Sequence, residues 1–233
     1  MRFREAMGKN PSVFGANELK KLEELSRVIG VQVPPHFISY SESFLAELMK
    51  WNRKMNLISR GDEQRVIERH LFDSLCLLSV QPNLSGKRLI DVGSGAGFPG
   101  VVLASWEPNV RIFLVESRSK RVAFLKAVRR LLAMDNLVVV HSRVERLSES
   151  ETISQPIDIV LSRGVAGVLA LAMALGHMVT LNGLFVLYKG VTIVDELRNG
   201  KERAQLRELG FELETVRPIW QNRTTLVVLR RYR

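Results

Sequence analysis

A single cysteine, Cys76, stands among 233 residues, so no internal disulfide and no cysteine-rich zinc site can form. A chain with no disulfide to make fits a reducing compartment, and a cytoplasmic location is expected. The four histidines are His36, His70, His141 and His177, and no metal-ligand spacing joins them to any partner, so no metal is expected. The N-terminus, Met1-Arg2-Phe3-Arg4-Glu5-Ala6, lacks the apolar run of a secretory signal. Internal repeats and low-complexity tracts are absent, which excludes solenoid and disordered-tail readings. Acidic residues are in deficit: 24 Asp and Glu face 34 Lys and Arg, a net charge of +10. That excess predicts attraction to polyanions, nucleic acid above all.

The composition is 46% hydrophobic and 25% charged, a globular balance that suits one α/β domain with an appendage. Gly164 to Tyr188 carries no charge and is long enough to span a bilayer. Four glycines, His177, Thr180 and Asn182 interrupt it, and Asn182-Gly183 signals a turn before Leu-Phe-Val-Leu-Tyr. Buried helix, turn and strand are predicted there, with no membrane span.

Residues 1–85 read as an N-terminal helical cap and 86–233 as the core. In the cap, Asn17 is predicted to cap a helix with Leu19, Leu22, Leu25 and Ile29 inside, ended by Gly30. Pro34-Pro35 opens a second helix bearing Phe37, Phe44, Leu45, Leu48 and Met49. A third is predicted from Asp62 to Ser79, with Val66, Ile67, Leu71, Leu75 and Leu78 inward and Cys76 as a buried structural thiol. After residue 86 the period changes. Strands are predicted at Arg88–Val92, Arg111–Glu116, Leu137–His141, Ile157–Leu161 and Leu184–Tyr188, with helices between them. A charged helix from Val194 to Leu209 and a closing hairpin, Phe211–Ile219 with Thr225–Arg230, complete the chain. Such alternation means a mostly parallel sheet covered on both faces.

The run Asp91-Val92-Gly93-Ser94-Gly95-Ala96-Gly97-Phe98-Pro99-Gly100 follows a strand and opens a helix, the context of a nucleotide-binding turn. Glu116 ends the next strand about 20 residues on, where a carboxylate can accept hydrogen bonds from both ribose hydroxyls. Gly95 to Gly100 also satisfies the G-x-G-x-x-G of a nicotinamide-dinucleotide enzyme. The longer pattern, an acidic residue before G-x-G-x-G, is that of S-adenosylmethionine-dependent methyltransferases. A dinucleotide site aims a helix N-terminus at a pyrophosphate, whereas the ammonium and sulfonium of the methyl donor tolerate an acid near the turn. Asp91, and a closing hairpin in place of a second nucleotide-binding half, favour the methyl donor.

Arg163 and Lys189 each end an apolar strand and emerge at the ligand-binding rim of the sheet; either could instead sit in a structural ion pair. His70 and Asp73, three apart on a helix, could form a catalytic pair or a helix-to-domain hydrogen bond. On the helix from Ser117, Arg118, Arg121, Lys126 and Arg129 share a basic face, with Phe124, Val128, Leu131 and Leu132 opposite. Arg2, Arg4 and Lys9 could add a basic arm.

Seven blocks together make the chain resemble a known family: Trp51-Asn52 with Asn56-Leu57; Arg69 to Ser74; Asp91 to Gly100; Lys120 to Leu125; Ser142 to Glu145; Ser162 to Ala166; and Lys189-Gly190. The family is the bacterial small-subunit ribosomal RNA guanine-N(7) methyltransferases, or glucose-inhibited division protein B. The resemblance covers roughly residues 40 to 230. It implies a class I S-adenosylmethionine-dependent methyltransferase fold, Rossmann-like, with a seven-stranded sheet, a closing hairpin and the helical cap. It implies transfer of a methyl group to N7 of a guanine in 16S ribosomal RNA or a small-subunit precursor, by a chain expected to be monomeric. Gly93, Gly95 and Phe98 would line the donor site, Val144 and Glu145 would meet the adenine, and Arg163 would lie near the methionyl end. Val144 could equally be core and Glu145 a solvated charge. Arg163, Lys189 and Arg143 are the expected catalytic cations, for the donor carboxylate, guanine O6 or phosphates. The family more often has Ala after that arginine, where this chain has Gly164. The competing readings are a nicotinamide-dependent oxidoreductase and an inert RNA-binding module on a methyltransferase scaffold.

Overall fold

The computed structural model describes residues 16–153, 156–165, 167–190, 192–193, 200–218 and 225–233. Arg2, Arg4 and Lys9, the predicted helix start at Val194 and the strand end at Ile219 lie outside the described residues.

Seven strands form one sheet in the order β3-β2-β1-β4-β5-β7-β6. They are β1 Arg88–Val92, β2 Arg111–Glu116, β3 Leu137–His141, β4 Ile157–Arg163, β5 Val179–Lys189, β6 Phe211–Pro218 and β7 Thr225–Arg231. β1 to β5 are parallel, and β7 runs antiparallel between β5 and β6. The chain runs outward from β1 to β3 and then returns to the other side of β1 as β4. That reversal leaves a crevice at the carboxyl ends of β1 and β4, where ligands bind in open α/β sheets.

Residues alternate between two apolar cores. Leu89, Ile112, Leu114 and Leu161 face the first, beneath the cap and the helices Gly100–Trp106 and Ser119–Leu131. Ile90, Val92, Val115 and Val160 face the second, beneath the helices Val168–Leu175 and Gly200–Glu208. Cap residues Leu22, Phe37, Phe44 and Phe72 belong to the first core, so the cap is packed onto the sheet. Asp91 pairs in register with Leu161, which sets Asp91 and Arg163 on the cap side of the sheet.

The cap begins with helix Ala16–Val28, and Asn17 lies inside its first turn rather than capping it. Helix Pro35–Met55 starts at the predicted proline pair. The third predicted helix is broken into Arg60–Glu63, a π-helical turn Ile67–Phe72, and the short pieces Asp73–Leu75 and Cys76–Ser79. Its apolar positions are buried as expected, together with Phe72 and Leu77, so the segment is wrapped by core on more than one side. An all-round apolar pattern does not fix a single helical period, and the breaks follow the packing. Asn182-Gly183 makes no turn before β5 but lies inside it, at a register shift in the β4–β5 pairing. Among the leucines assigned to the inner face of Ser119–Leu131, Leu131 is 47% exposed; Val122 and Leu125 are buried instead. No helix among the described residues is long and apolar enough to cross a membrane.

Candidate active site

β1 delivers the chain into the glycine turn at the crevice. Gly93 (φ 71°), Gly95 (φ 51°) and Gly97 (φ 89°) all take left-handed backbone, open mainly to glycine. Gly93 is constrained twice, since a Cβ there would overlap Cγ2 of Val165. The turn is tied back to β2, because Gly93 N and Ser94 N both donate to Val115 O, at 2.8 and 3.1 Å. Asp91 is buried beneath it. Its Oδ2 accepts from Gly100 N at 3.1 Å, while Oδ1 has no partner among the described residues. Burial pushes the Asp91 carboxyl up to about 7, although the Gly100 N–H works the other way.

Glu116 ends β2 beside this turn and is 4% exposed. Oε2 accepts from Gly95 N at 3.1 Å and Oε1 from Arg118 N at 2.8 Å, with Arg121 Nη1 at 3.8 Å from Oε2. A carboxylate offers about four acceptor sites, so each oxygen keeps a lone pair. Next to it opens a cleft of about 660 Å³ lined by Ser117, His141, Ser142, Arg143, Glu145 and Arg146. Arg143 and Glu145 are exposed there, whereas Val144 is half-buried and packs against the second core.

Arg163 is turned toward the cap. Its Nη2 donates to Arg69 O at 2.5 Å and to Asp73 Oδ2 at 3.3 Å; Nη1 is buried with no partner among the described residues. Of the alternatives for Asp73, a contact from its helical segment to the sheet, at Arg163 of β4, is the one observed. His70 forms no pair with it. The imidazole instead stacks on Phe98, centroids 4.7 Å apart and planes at 19°, and both ring nitrogens lack hydrogen-bond partners among the described residues. Burial and the neighbouring Arg163 charge hold His70 down at about 3, so it is neutral at pH 7. Lys189 Nζ donates to Val165 O at 2.8 Å, anchoring the loop whose valine covers Gly93. Gly164 (φ 68°) gives that loop its left-handed step, with nothing within 4 Å of a notional Cβ.

The structure therefore places Gly93, Gly95 and Phe98 on one turn with Glu116 beside it at the end of β2, and Arg163 and Lys189 at the ends of β4 and β5. Arg143 stands apart. It follows β3, three strand spacings and about 14 Å from the end of β4.

A profile of the GidB family, rRNA small subunit methyltransferase G, matches residues 38–224. The chain belongs to this family. Among relatives of this GidB chain, the ribosomal RNA small subunit methyltransferase G of Yersinia pseudotuberculosis is 38% identical over 180 residues, covering 77% of this chain and 84% of that protein. The protein of the same name from Klebsiella pneumoniae is 35% identical over 191 residues, covering 82% and 89%. Among solved structures, Aeropyrum pernix fibrillarin, in complex with natively bound S-adenosyl-L-methionine, superposes with a TM-score of 0.51 at 16% identity, covering 62% of this chain and 66% of that one. That likeness concerns the fold, which is the class I S-adenosylmethionine-dependent methyltransferase fold with an N-terminal helical cap. Family membership makes the GidB chain a methyltransferase and sets aside the oxidoreductase and inert-module readings.

Two features of the site carried no sequence signal. The freed carbonyl of Arg69 depends on a local π-helical turn. Val165 over Gly93 depends on a loop conformation that no spacing rule encodes.

Proposed function

We propose that this GidB chain transfers a methyl group from S-adenosylmethionine to N7 of a guanine in small-subunit (16S) ribosomal RNA. The observation that carries the reading is the buried Glu116 carboxylate, fixed by Gly95 N and Arg118 N with a lone pair left on each oxygen. That arrangement suits two adjacent ribose hydroxyls, and the residues present fit the donor. Gly93, Gly95 and Phe98 line its path, and Val144 and Glu145 are assigned to the adenine end beside the cleft. Arg163 is assigned to the methionyl carboxylate or guanine O6. When bound, S-adenosylmethionine supplies an electrophilic methyl on a sulfonium.

Guanine N7 already has a lone pair, so the chain needs no general base. Its task is to align and to exclude water. The cap, assigned as residues 1–85, closes over the crevice of the 86–233 core from the Arg163 side. Lys189 holds the Val165 loop and is assigned with Arg163 to the reacting centre. Arg143, three strands away, suits an RNA phosphate better than the target base. The basic face of helix Ser119–Leu131 would extend that contact along the RNA backbone. The chain is taken to act as a cytoplasmic monomer, in keeping with its one cysteine, buried and unpaired.

The test incubates the full chain with labelled donor and either naked small-subunit RNA or assembled small subunits. Label appearing as 7-methylguanosine in the small-subunit RNA is the expected result. A thermal shift with NADH and none with S-adenosylhomocysteine, or label absent from both acceptors, would overturn the reading.

A further inference from the structure

The guanidinium of Arg163 is gripped through one nitrogen only. Nη2 has two hydrogens, and both are used: one goes to the carbonyl of Arg69 and one to the carboxylate of Asp73. Two acceptors on one nitrogen of a rigid planar fork fix the plane and hence the direction of the other nitrogens. Of the two nitrogens left over, Nη1 is buried and without a partner among the described residues.

Both acceptors come from the cap. Asp73 N bonds to His70 O, so Arg69 O does not carry its ordinary α-helical bond from Asp73 N and is available to Arg163. The same short stretch docks a second time, where Tyr188 O–H donates to Ser74 O at 3.0 Å. An ion pair serving only to dock the cap would satisfy the whole guanidinium, since a buried unpaired donor costs about 1–3 kcal/mol. Docking is in any case supplied by the apolar core that the cap shares with the sheet. Arg163 and Asp91 project from the same face of the sheet, and the Arg163 charge acts on both Asp91 and His70, so the guanidinium lies close to the buried groups beneath the glycine turn.

We infer that Asp73, with the π-turn carbonyl of Arg69, is a positioning residue: the cap clamps Nη2 of Arg163 so that Nη1 is presented to the ligand in the crevice. This rests on the methyltransferase reading above. The cap is then part of the reaction centre, and Asp73 acts on transfer through Arg163.

The experiment measures single-turnover methylation of small subunits by the full chain saturated with S-adenosylmethionine, for wild type, Asp73→Ala, Asp73→Asn, Arg163→Ala and the double variants. Misplacement of an aligned group by about 1 Å costs up to about a hundredfold, so Asp73→Ala should slow transfer about ten- to a hundredfold. Asp73→Asn keeps one acceptor and should recover part of the rate. In the Arg163→Ala background the same Asp73 changes should cost less than about twofold, because the mediator is gone. A second readout needs no turnover: the Nη signals of Arg163 in nitrogen NMR should be separate in wild type and averaged in Asp73→Ala. Wild-type rates in the Asp73 variants, or losses that simply add to that of Arg163→Ala, would overturn the inference. Should Asp73→Ala fail to fold, Asp73→Asn alone and with Arg163→Ala gives the same comparison. A wild-type chain that methylates no small-subunit RNA would instead sink the parent reading, and the NMR comparison would still judge the clamp.

Discussion

Glu116 at the end of β2 and Gly95 in the glycine turn are joined by a hydrogen bond from Gly95 N to Glu116 Oε2 at 3.1 Å. The carboxylate holds the glycine turn and, in the role proposed for it, would also offer lone pairs to a ribose. Glu116→Ala should weaken S-adenosylhomocysteine binding by about 1.5–3 kcal/mol, the scale of hydrogen bonds to a charged group. It should also cost about 1–3 kcal/mol of stability, because the amides of Gly95 and Arg118 lose their acceptor. Glu116→Gln should keep part of the stability, although its amide NH₂ must face one of the two N–H donors. Titration calorimetry and urea unfolding on the same samples separate the two effects. Donor affinity equal to wild type would remove Glu116 from the ribose site.

Two glycines with the same backbone handedness should respond differently to alanine. At Gly164 a Cβ meets nothing within 4 Å, so Gly164→Ala should cost only the left-handed backbone term of about 1–2 kcal/mol. At Gly93 the Cβ would also overlap Val165, whose carbonyl anchors Lys189. Gly93→Ala should therefore destabilise more than Gly164→Ala and reduce donor affinity as well. Equal unfolding midpoints for the two variants would contradict the packing of Val165 on the turn.

The contrast between these glycines shows what the sequence could convey. The strands were legible because short apolar runs bounded by turn residues, such as Arg88–Val92, have one way to sit in a covered parallel sheet. The glycine turn and Glu116 were legible because their spacing is set by one strand–helix–strand unit. The segment Asp62 to Ser79 was not, since it is buried on several sides and its breaks answer to neighbours distant in sequence. For the same reason Asp73 could be marked as a contact residue while its partner, 90 residues away, could not be named. Asn182-Gly183 reads as a turn before the strand; it sits instead within β5, where Asn182 is left-handed (φ 63°) and the β4 pairing skips from Val179 to Leu184.

On helix Ser119–Leu131 the basic residues are not equivalent. Arg118 and Lys120 are exposed at its N-terminal end, beside the cleft, whereas Arg129 and Arg130 lie about 16 Å away along the axis. Arg118→Ala or Lys120→Ala should weaken RNA binding at low salt and lower the salt slope by about one. Arg129→Ala should have the smaller effect, since its Nε is already near Met134 O at 3.4 Å. Filter binding to small-subunit RNA across a salt series measures both. Identical slopes for the Arg118 and Arg129 variants would mean that the RNA does not approach from the cleft end.

Two buried titratable groups of the crevice, Asp91 and His70, make opposite demands on pH. Asp91 in the folded chain keeps its proton up to about 7, against a usual 3.8. An unfolded chain loses that proton first, so this group lowers stability as pH rises from about 4 to about 7, by about 1.4 kcal/mol per pH unit, and by no more above that. His70 stays neutral down to about 3, against a usual 6.5. The unfolded chain takes up that proton first, so this group lowers stability by a similar slope as pH falls below about 6.5. Between about pH 4 and 6.5 the two slopes oppose each other, and the wild-type contribution from the pair should be nearly flat. Asp91→Asn removes one side: relative to wild type it should gain stability as pH rises from about 4 to 7, keeping an oxygen for Gly100 N. His70→Gln removes the other, and its gain over wild type should grow as pH falls from about 6.5 toward 4. Urea midpoints for the three proteins at about pH 4.5, 5.5, 6.5 and 8 measure these differences. Curves that run parallel across that range would mean that neither group is held in its unusual protonation state, and that water reaches the crevice beneath Phe98.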